Sequence, residues 1–248
     1  MSNYSLFLDL FLGPGEGLEM GKALKVWWDF NDFISTSQIG GLGLWERTYA
    51  GAGAAIYPYS GTNLRPGILV FDTGTTNTGY AVLSVGGQYY PADFLFGAGT
   101  YTIESDIYIS ALSTATETYT IKFGFGDVYS GADFVDGAYF LYSDAGGGSP
   151  TPNWYKCTAS NSTRTKTDTT IAAVAAAWTR LKIVVNADGT SVEYFINDVS
   201  AGVVTTNIPT GSGRVTGANL GIIKSAGTTA ATIRSDWAWL HIDLTTSR

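Results

Sequence analysis

Glu104 and Asp106, two residues apart in the segment TYTIESDIYIS, are the side chains whose types and spacing come nearest to catalytic chemistry. Alternation along a strand points both carboxylates to one face, with Thr102 and Tyr108, while Tyr101, Ile103, Ile107 and Ile109 take the other. A retaining glycosidase uses such a pair about 5–5.5 Å apart, one carboxyl protonated to assist the leaving oxygen and one ionised to attack. The competing expectation is a solvated outer-face pair with no catalytic role. Other reaction classes have less to build on. His241 is the only histidine, which excludes a histidine-rich metal site and leaves one residue for any Ser-His-Asp triad. Cys157 could pair with it as nucleophile and base, yet Cys157 lies in an apolar strand and reads as a small buried hydrophobe. No phosphate-binding, dinucleotide or kinase motif occurs.

Two further groups could bind rather than react. The loop GDVYSGADFVDG carries Asp127, Asp133 and Asp136 among glycines, a supply of carboxylate and carbonyl oxygens of the kind calcium takes, although the spacing is not that of an EF-hand. The expectation without metal is an acidic solvated loop and no cofactor. In the last strand candidate Trp237, Trp239 and His241 share one face, with Ala238, Leu240 and Ile242 on the other. One of these faces must look away from a sandwich core, so the tryptophans are covered by protein or stack on sugar rings. Tyr57-Pro58-Tyr59, Tyr89-Tyr90-Pro91, Trp27-Trp28 and Trp45 are explained as well by packing as by carbohydrate.

The elements that must position these groups are strands. Charged residues make up 14% of the chain while glycine and aromatics are abundant, a composition of short strands and tight turns. In WTRLKIVVNADGTSVEYFINDV, Leu181, Ile183 and Val185 alternate, Asp188-Gly189 supplies positive φ angles for a tight turn, and Val192, Tyr194 and Ile196 resume. Asn197-Asp198 reverses the chain again before Val203 and Val204, which makes an antiparallel meander. Strands are also expected over ALKVWWDFNDFIST, residues 67–72 and 79–85, ETYTIKFGFGD, AYFLYS and WYKCTAS, with ANLGIIKSAGTT and AATIRSDWAWLHIDL as a closing hairpin. TTIAAVAAAW is expected as a loop with one helical turn, since alanine favours helix among flanking strands.

Residues 1–21 read as an arm and linker before a single sandwich domain over residues 22–248. Tyr4, Leu6, Leu8, Leu10 and Leu12 alternate with Ser5, Phe7, Asp9 and Phe11, so both faces of this segment are largely apolar and both require cover. No basic residue precedes the run and Asp9 interrupts it, unlike a signal peptide, and it is about half the roughly 20 residues of a membrane span. The net charge of -7 and the lack of a Lys/Arg cluster argue against nucleic-acid binding.

The Trp-x-Arg-Leu strand, the Asp-Gly and Asn-Asp turns and the final Asp-aromatic strand of SDWAWL resemble the C-terminal half of concanavalin A-like jelly rolls of laminin G or glucanase type. The likeness is to versions found in tailed-bacteriophage virion proteins; it spans roughly residues 100–248 and, more loosely, 23–99. It implies an all-β, two-sheet antiparallel sandwich. The glucanase pattern it brings is Glu-x-Asp-x-Glu, and Tyr108 stands where the second Glu belongs, which removes the acid/base partner. The expected protein is therefore a non-enzymatic structural component of a phage-like virion, a head decoration or tail fibre on the particle exterior, made in the host cytoplasm without a signal peptide. Its arm, through Tyr4, Leu6, Phe7, Leu8, Leu10, Phe11 and Leu12, would drive homo-oligomerisation, as a trimer for example, and attachment to a capsid or tail protein. The alternatives are an adhesin-like module that binds host glycans through Trp237, Trp239 and His241, and a glucanase-like hydrolase using Glu104 and Asp106.

Overall fold

The computed structural model describes residues 23–29, 38–39, 45–62, 64–85, 94–128, 132–142 and 152–246. The arm residues Tyr4 to Leu12 and the Tyr89-Tyr90-Pro91 segment lie outside them. Strands are numbered in chain order. In the first sheet the hydrogen-bonded order is β14 (Val199–Val204), β13 (Val192–Ile196), β12 (Trp178–Val185), β7 (Gly99–Ile109), β16 (Thr232–Leu244), β5 (Arg65–Asp72) and β4 (Ala55–Thr62), and β1 (Ala23–Asp29) also pairs with β16. In the second the order is β11 (Thr163–Ala172), β10 (Asn153–Ser160), β9 (Gly137–Tyr142), β8 (Tyr119–Gly126), β15 (Gly217–Lys224), β6 (Tyr80–Val85), β3 (Trp45–Ala50) and β2 (Gln38–Ile39). All named pairings are antiparallel, and no helix occurs among the described residues. The expected two-sheet sandwich is the observed fold.

Alternation explains why the sheets face each other as they do. Tyr101, Ile103, Ile107 and Ile109 of β7, Leu181, Ile183 and Val185 of β12, and Ala238, Leu240 and Ile242 of β16 all enter one core. The second sheet supplies Ile121, Phe123, Phe125, Phe140, Tyr142, Trp154 and Leu220 to it. Trp154 is fully buried and meets Phe140 edge-on, with ring centroids 6.1 Å apart. Polar ties close the seam between the sheets at one end. Lys156 Nζ donates to the Ala201 carbonyl at 2.7 Å, Thr158 Oγ1 donates to that of Thr206 at 2.7 Å, and the buried Tyr194 hydroxyl donates to that of Cys157 at 2.6 Å. Cys157 is fully buried, as expected, but it faces away from the main core, in a smaller cluster with Phe134, Tyr139 and Leu141.

Three local expectations are corrected. The Asp188-Gly189 turn takes only one positive φ, at Gly189 (67°); the reversal runs from Asn186, whose carbonyl accepts from Gly189 N and whose side chain accepts from the amides of Thr190 and Ser191. The expected reversal at Asn197-Asp198 is the two-residue one, with both φ values positive (51° and 65°). The alanine-rich segment forms no helical turn: β11 extends to Ala172, Ala173 N donates to Pro152 O and Ala176 N to Ile109 O, so tertiary hydrogen bonds override alanine's preference. Lastly, β15 and β16 are not a hairpin. They belong to opposite sheets, and the crossing segment is held by Glu117, whose carboxylate accepts from Thr228 N, Thr229 N and Thr229 Oγ1.

Candidate functional site

The outward face of the first sheet collects the chemistry-bearing residues. On β7, Ser105 turns into the sheet and accepts or donates with Ser235 at 2.9 Å, leaving Glu104 and Asp106 on the outer side. On β12 the inward Leu181 and Ile183 leave Trp178, Arg180 and Lys182 outward, and on β16 the inward Leu240 and Ile242 leave Trp239 and His241 outward. Register then sets neighbours: Arg180 lies opposite Asp106, and Lys182 opposite Glu104, which in turn lies opposite Trp239. The register of β16 shifts between Ser235 and Ala238, and Asp236 and Trp237 occupy this irregularity beside Asp106.

Glu104 and Asp106 are not solvated, which corrects the outer-face expectation: their relative exposures are 9% and 5%. Asp106 accepts from Arg65 Nη1 at 3.0 Å and from Arg180 Nε at 3.0 Å. Arg65 Nη1 also donates to Asp236 at 2.6 Å, and Arg180 reaches Asp198 at 3.3 Å and Glu104 at 3.6 Å. Hydrogen bonding to Asp106 keeps Arg180 firmly protonated. Burial pushes the Glu104 carboxyl above its ordinary range, against the opposing pull of Lys182 and Arg180. The carboxyls therefore differ in setting: both oxygens of Asp106 are held by guanidiniums, whereas burial dominates at Glu104.

Aromatic rings frame this network. The Arg65 guanidinium lies 4.1 Å from the Trp178 ring centre, and Arg180 lies 5.4 Å from that of Trp237. Tyr108 packs against Trp178 at 5.3 Å, so the residue in the position of a second glucanase carboxyl is a phenol committed to an aromatic contact. Trp239 stacks on His241 with centroids 5.5 Å apart and planes 25° apart. His241 Nε2 is 3.0 Å from Asp243 Oδ2, but without hydrogen-bond alignment, so the contact is an ion pair only when the imidazole is protonated. Trp178, Trp237 and Trp239 are each half-buried, as the alternation of Trp237, Trp239 and His241 against Ala238, Leu240 and Ile242 requires.

The three loop aspartates are committed elsewhere. Asp127 Oδ1 accepts from Val135 N at 3.0 Å, Asp133 pairs with Lys122 at 3.0 Å and Arg164 at 3.2 Å, and Asp136 pairs with Arg214 at 3.2 Å and accepts from Asn161 N at 2.9 Å. Burial raises the Asp127 carboxyl and lowers the Lys122 ammonium, whereas for Asp133 the two cations outweigh burial and hold its carboxyl low. A calcium ion would have to draw these carboxylates away from a lysine and two arginines. Among the described residues no three His, Cys, Asp or Glu side chains are grouped to hold a metal.

Sequence reasoning found Glu104, Asp106, Trp237, Trp239 and His241, and the structure brings all five to one face. It passed over Arg65, Trp178, Arg180 and Asp236. The signal for two of them was present, because the alternation that buries Leu181 and Ile183 forces Trp178 and Arg180 outward. Arg65 gave none: it meets Asp106 across 41 residues of chain and Asp236 across 171.

The two-sheet antiparallel sandwich is, in fold, a jelly roll of the lectin-like, concanavalin A type. Within that class the chain belongs to the SO2946-like family, whose C-terminal domain pattern matches residues 64–236. The crystal structure of SO2946, a protein of unknown function from Shewanella oneidensis MR-1, superimposes with a TM-score of 0.64 at 11% identity, covering 92% of this chain and 90% of that one. Peanut lectin gives 0.59 at 10% identity with 90% and 100% covered, and the Emp47p carbohydrate recognition domain 0.54 at 11% with 92% and 97%. At these identities the likeness is one of fold. No curated protein matches the sequence.

Proposed function

We propose that this chain is a non-enzymatic glycan-binding protein of lectin type, with the outer face of the first sheet as its binding surface. The observation that carries this reading is the set of half-buried tryptophans, Trp178, Trp237 and Trp239, around the carboxylates and guanidiniums of Glu104, Asp106, Arg65 and Arg180. Sugars present an apolar ring face and a rim of hydroxyls, so they are held by aromatic planes bordered by fixed hydrogen-bonding groups. Hydrolysis is disfavoured because both Asp106 carboxylate oxygens are taken up by Arg65 and Arg180 and Tyr108 supplies no second carboxyl. Peanut lectin and the carbohydrate recognition domain of Emp47p, which share the fold, are consistent with sugar recognition. On a glycan array, Trp237→Ala and Trp239→Ala are expected to lower retention at least about tenfold, a loss of about 1.4 kcal/mol, with no change in oligomeric state. An array on which the parent protein gives no signal would remove this reading.

The particle on which such a module acts is read from sequence. The likeness of WTRLKIVVNADGTSVEYFINDV and SDWAWL to tailed-phage virion proteins favours an exterior head or fibre protein, assembled as a homo-oligomer through the apolar arm and needing no metal. Deleting residues 1–17 is then expected to abolish oligomerisation or particle attachment. Light scattering that returned an intact oligomer after the deletion would count against the arm.

A further inference from the structure

The register of the first sheet lines up one transverse row that the functional reading does not require. Tyr57 of β4 lies opposite Val70 of β5, Val70 opposite Arg234 of β16, Arg234 opposite Tyr108 of β7, and Tyr108 opposite Trp178 of β12. All five lie on the outer side of the sheet, since their strand neighbours Ile56, Phe71, Ile233, Ile109 and Thr179 turn inward, although Val70 is itself covered at 3% exposure. Four strand spacings of about 4.8 Å make the row about 19 Å long, perpendicular to the strands. Its middle is a stack: Arg234 lies over the Tyr108 ring at 5.2 Å and over that of Tyr59, two residues on from Tyr57, at 4.3 Å. Tyr57 and Tyr59, at 40% and 47% exposure, carry the aromatic surface to the sheet edge. Trp178 carries it to β12, beside the Asp106 network, through its contacts with Tyr108 and Arg65.

From this geometry we infer that the face binds an extended, uncharged oligosaccharide lying across the strands, gripped along several consecutive sugars rather than at a terminal one. The inference rests on the glycan-binding reading. Length follows from the row: a single sugar covers one or two of its positions, and only a chain meets both Tyr57 and Trp178. Neutrality follows from charge. Among the described residues, the outward cations Arg65, Arg180, Lys182 and Arg234 are outnumbered by carboxylates that include Glu104, Asp106, Glu193, Asp198, Asp236 and Asp243, and both Arg65 and Arg180 are already paired. A uronate chain would add its charge to this acid-rich face of a protein of net charge -7.

Calorimetric titration of the full chain with linear gluco- and manno-oligosaccharides of one to six units, alongside oligogalacturonates of the same lengths, tests this. Affinity for the preferred neutral series should rise at least about tenfold between two and four units and then level off. Tyr57→Ala, at an exposed edge position, should weaken hexasaccharide binding about fivefold and leave the disaccharide unchanged. Equal affinity for one unit and six, or an affinity unaltered by Tyr57→Ala, would overturn the extended chain while leaving lectin activity intact. Preference for the galacturonates would overturn neutrality. Silence toward all these sugars and on a glycan array would overturn the glycan-binding reading itself.

Discussion

Asp106→Ala is expected to destabilise the protein by about 3 kcal/mol, a sizeable part of the roughly 5–15 kcal/mol that holds a domain folded. The side chain is 7% exposed and accepts from Arg65 and Arg180, both at 3.0 Å. Removing it leaves two guanidiniums whose desolvation was compensated largely by this carboxylate. The loss stays near the lower end for a buried ion pair because the arginines are 26% and 40% exposed and keep partial partners, Arg65 in Asp236 and Arg180 in Asp198. Urea unfolding should show the midpoint fall with an unchanged slope, and a loss below about 1 kcal/mol would show that the network does not anchor this face. Arg180→Ala in the Asp106→Ala background should cost less than Arg180→Ala alone, because the partners act as a unit. Since Arg65 and Arg180 lie over Trp178 and Trp237, the same change should also weaken glycan retention by loosening both rings.

This face shows what a sequence displays and what it hides. Alternation in β7, β12 and β16 was legible residue by residue, and with it the sharing of one face by Glu104 and Asp106 and of another stretch by Trp237, Trp239 and His241. Burial of the acids was not legible, because it depends on Arg180, 74 residues away, and Arg65, 41 residues away. Local pattern gives a strand its faces but does not give the partner strand, so β15 and β16, adjacent in sequence, suggest a hairpin although they lie in opposite sheets. The sequence pattern does not show the two-residue β2 or the strands β3, β4 and β11; these three lie toward sheet edges and are rich in Thr, Tyr and Pro, where one-sided burial leaves little hydrophobic period. The loop aspartates were misleading for the opposite reason: their clustering in sequence suggested a shared ligand, and the fold gives each its own donors.

Gly124→Ala is expected to cost about 3 kcal/mol or more, although it adds one methyl group to a strand. Gly124 sits between Phe123 and Phe125 of β8 with φ at 142°, a conformation that L side chains rarely adopt. A Cβ there would stand 2.5 Å from the Ala138 carbonyl oxygen, 2.6 Å from Ile183 Cδ1 and 2.8 Å from Tyr139 Cα. Two of these atoms are backbone of the neighbouring strand, hydrogen-bonded in register with β8, and the third is core of the opposite sheet, so relief requires parting β8 from β9 or the two sheets from each other. Gly211→Ala separates strain from collision: its φ is 101°, but nothing lies within 4 Å of the added atom, and its loss should be about 1 kcal/mol. If thermal unfolding placed the two variants together, backbone conformation alone would explain Gly124. If Gly124→Ala falls well below Gly211→Ala, the close approach of β8, β9 and Ile183 is what makes FGFG in this strand a requirement of packing, not a break in it.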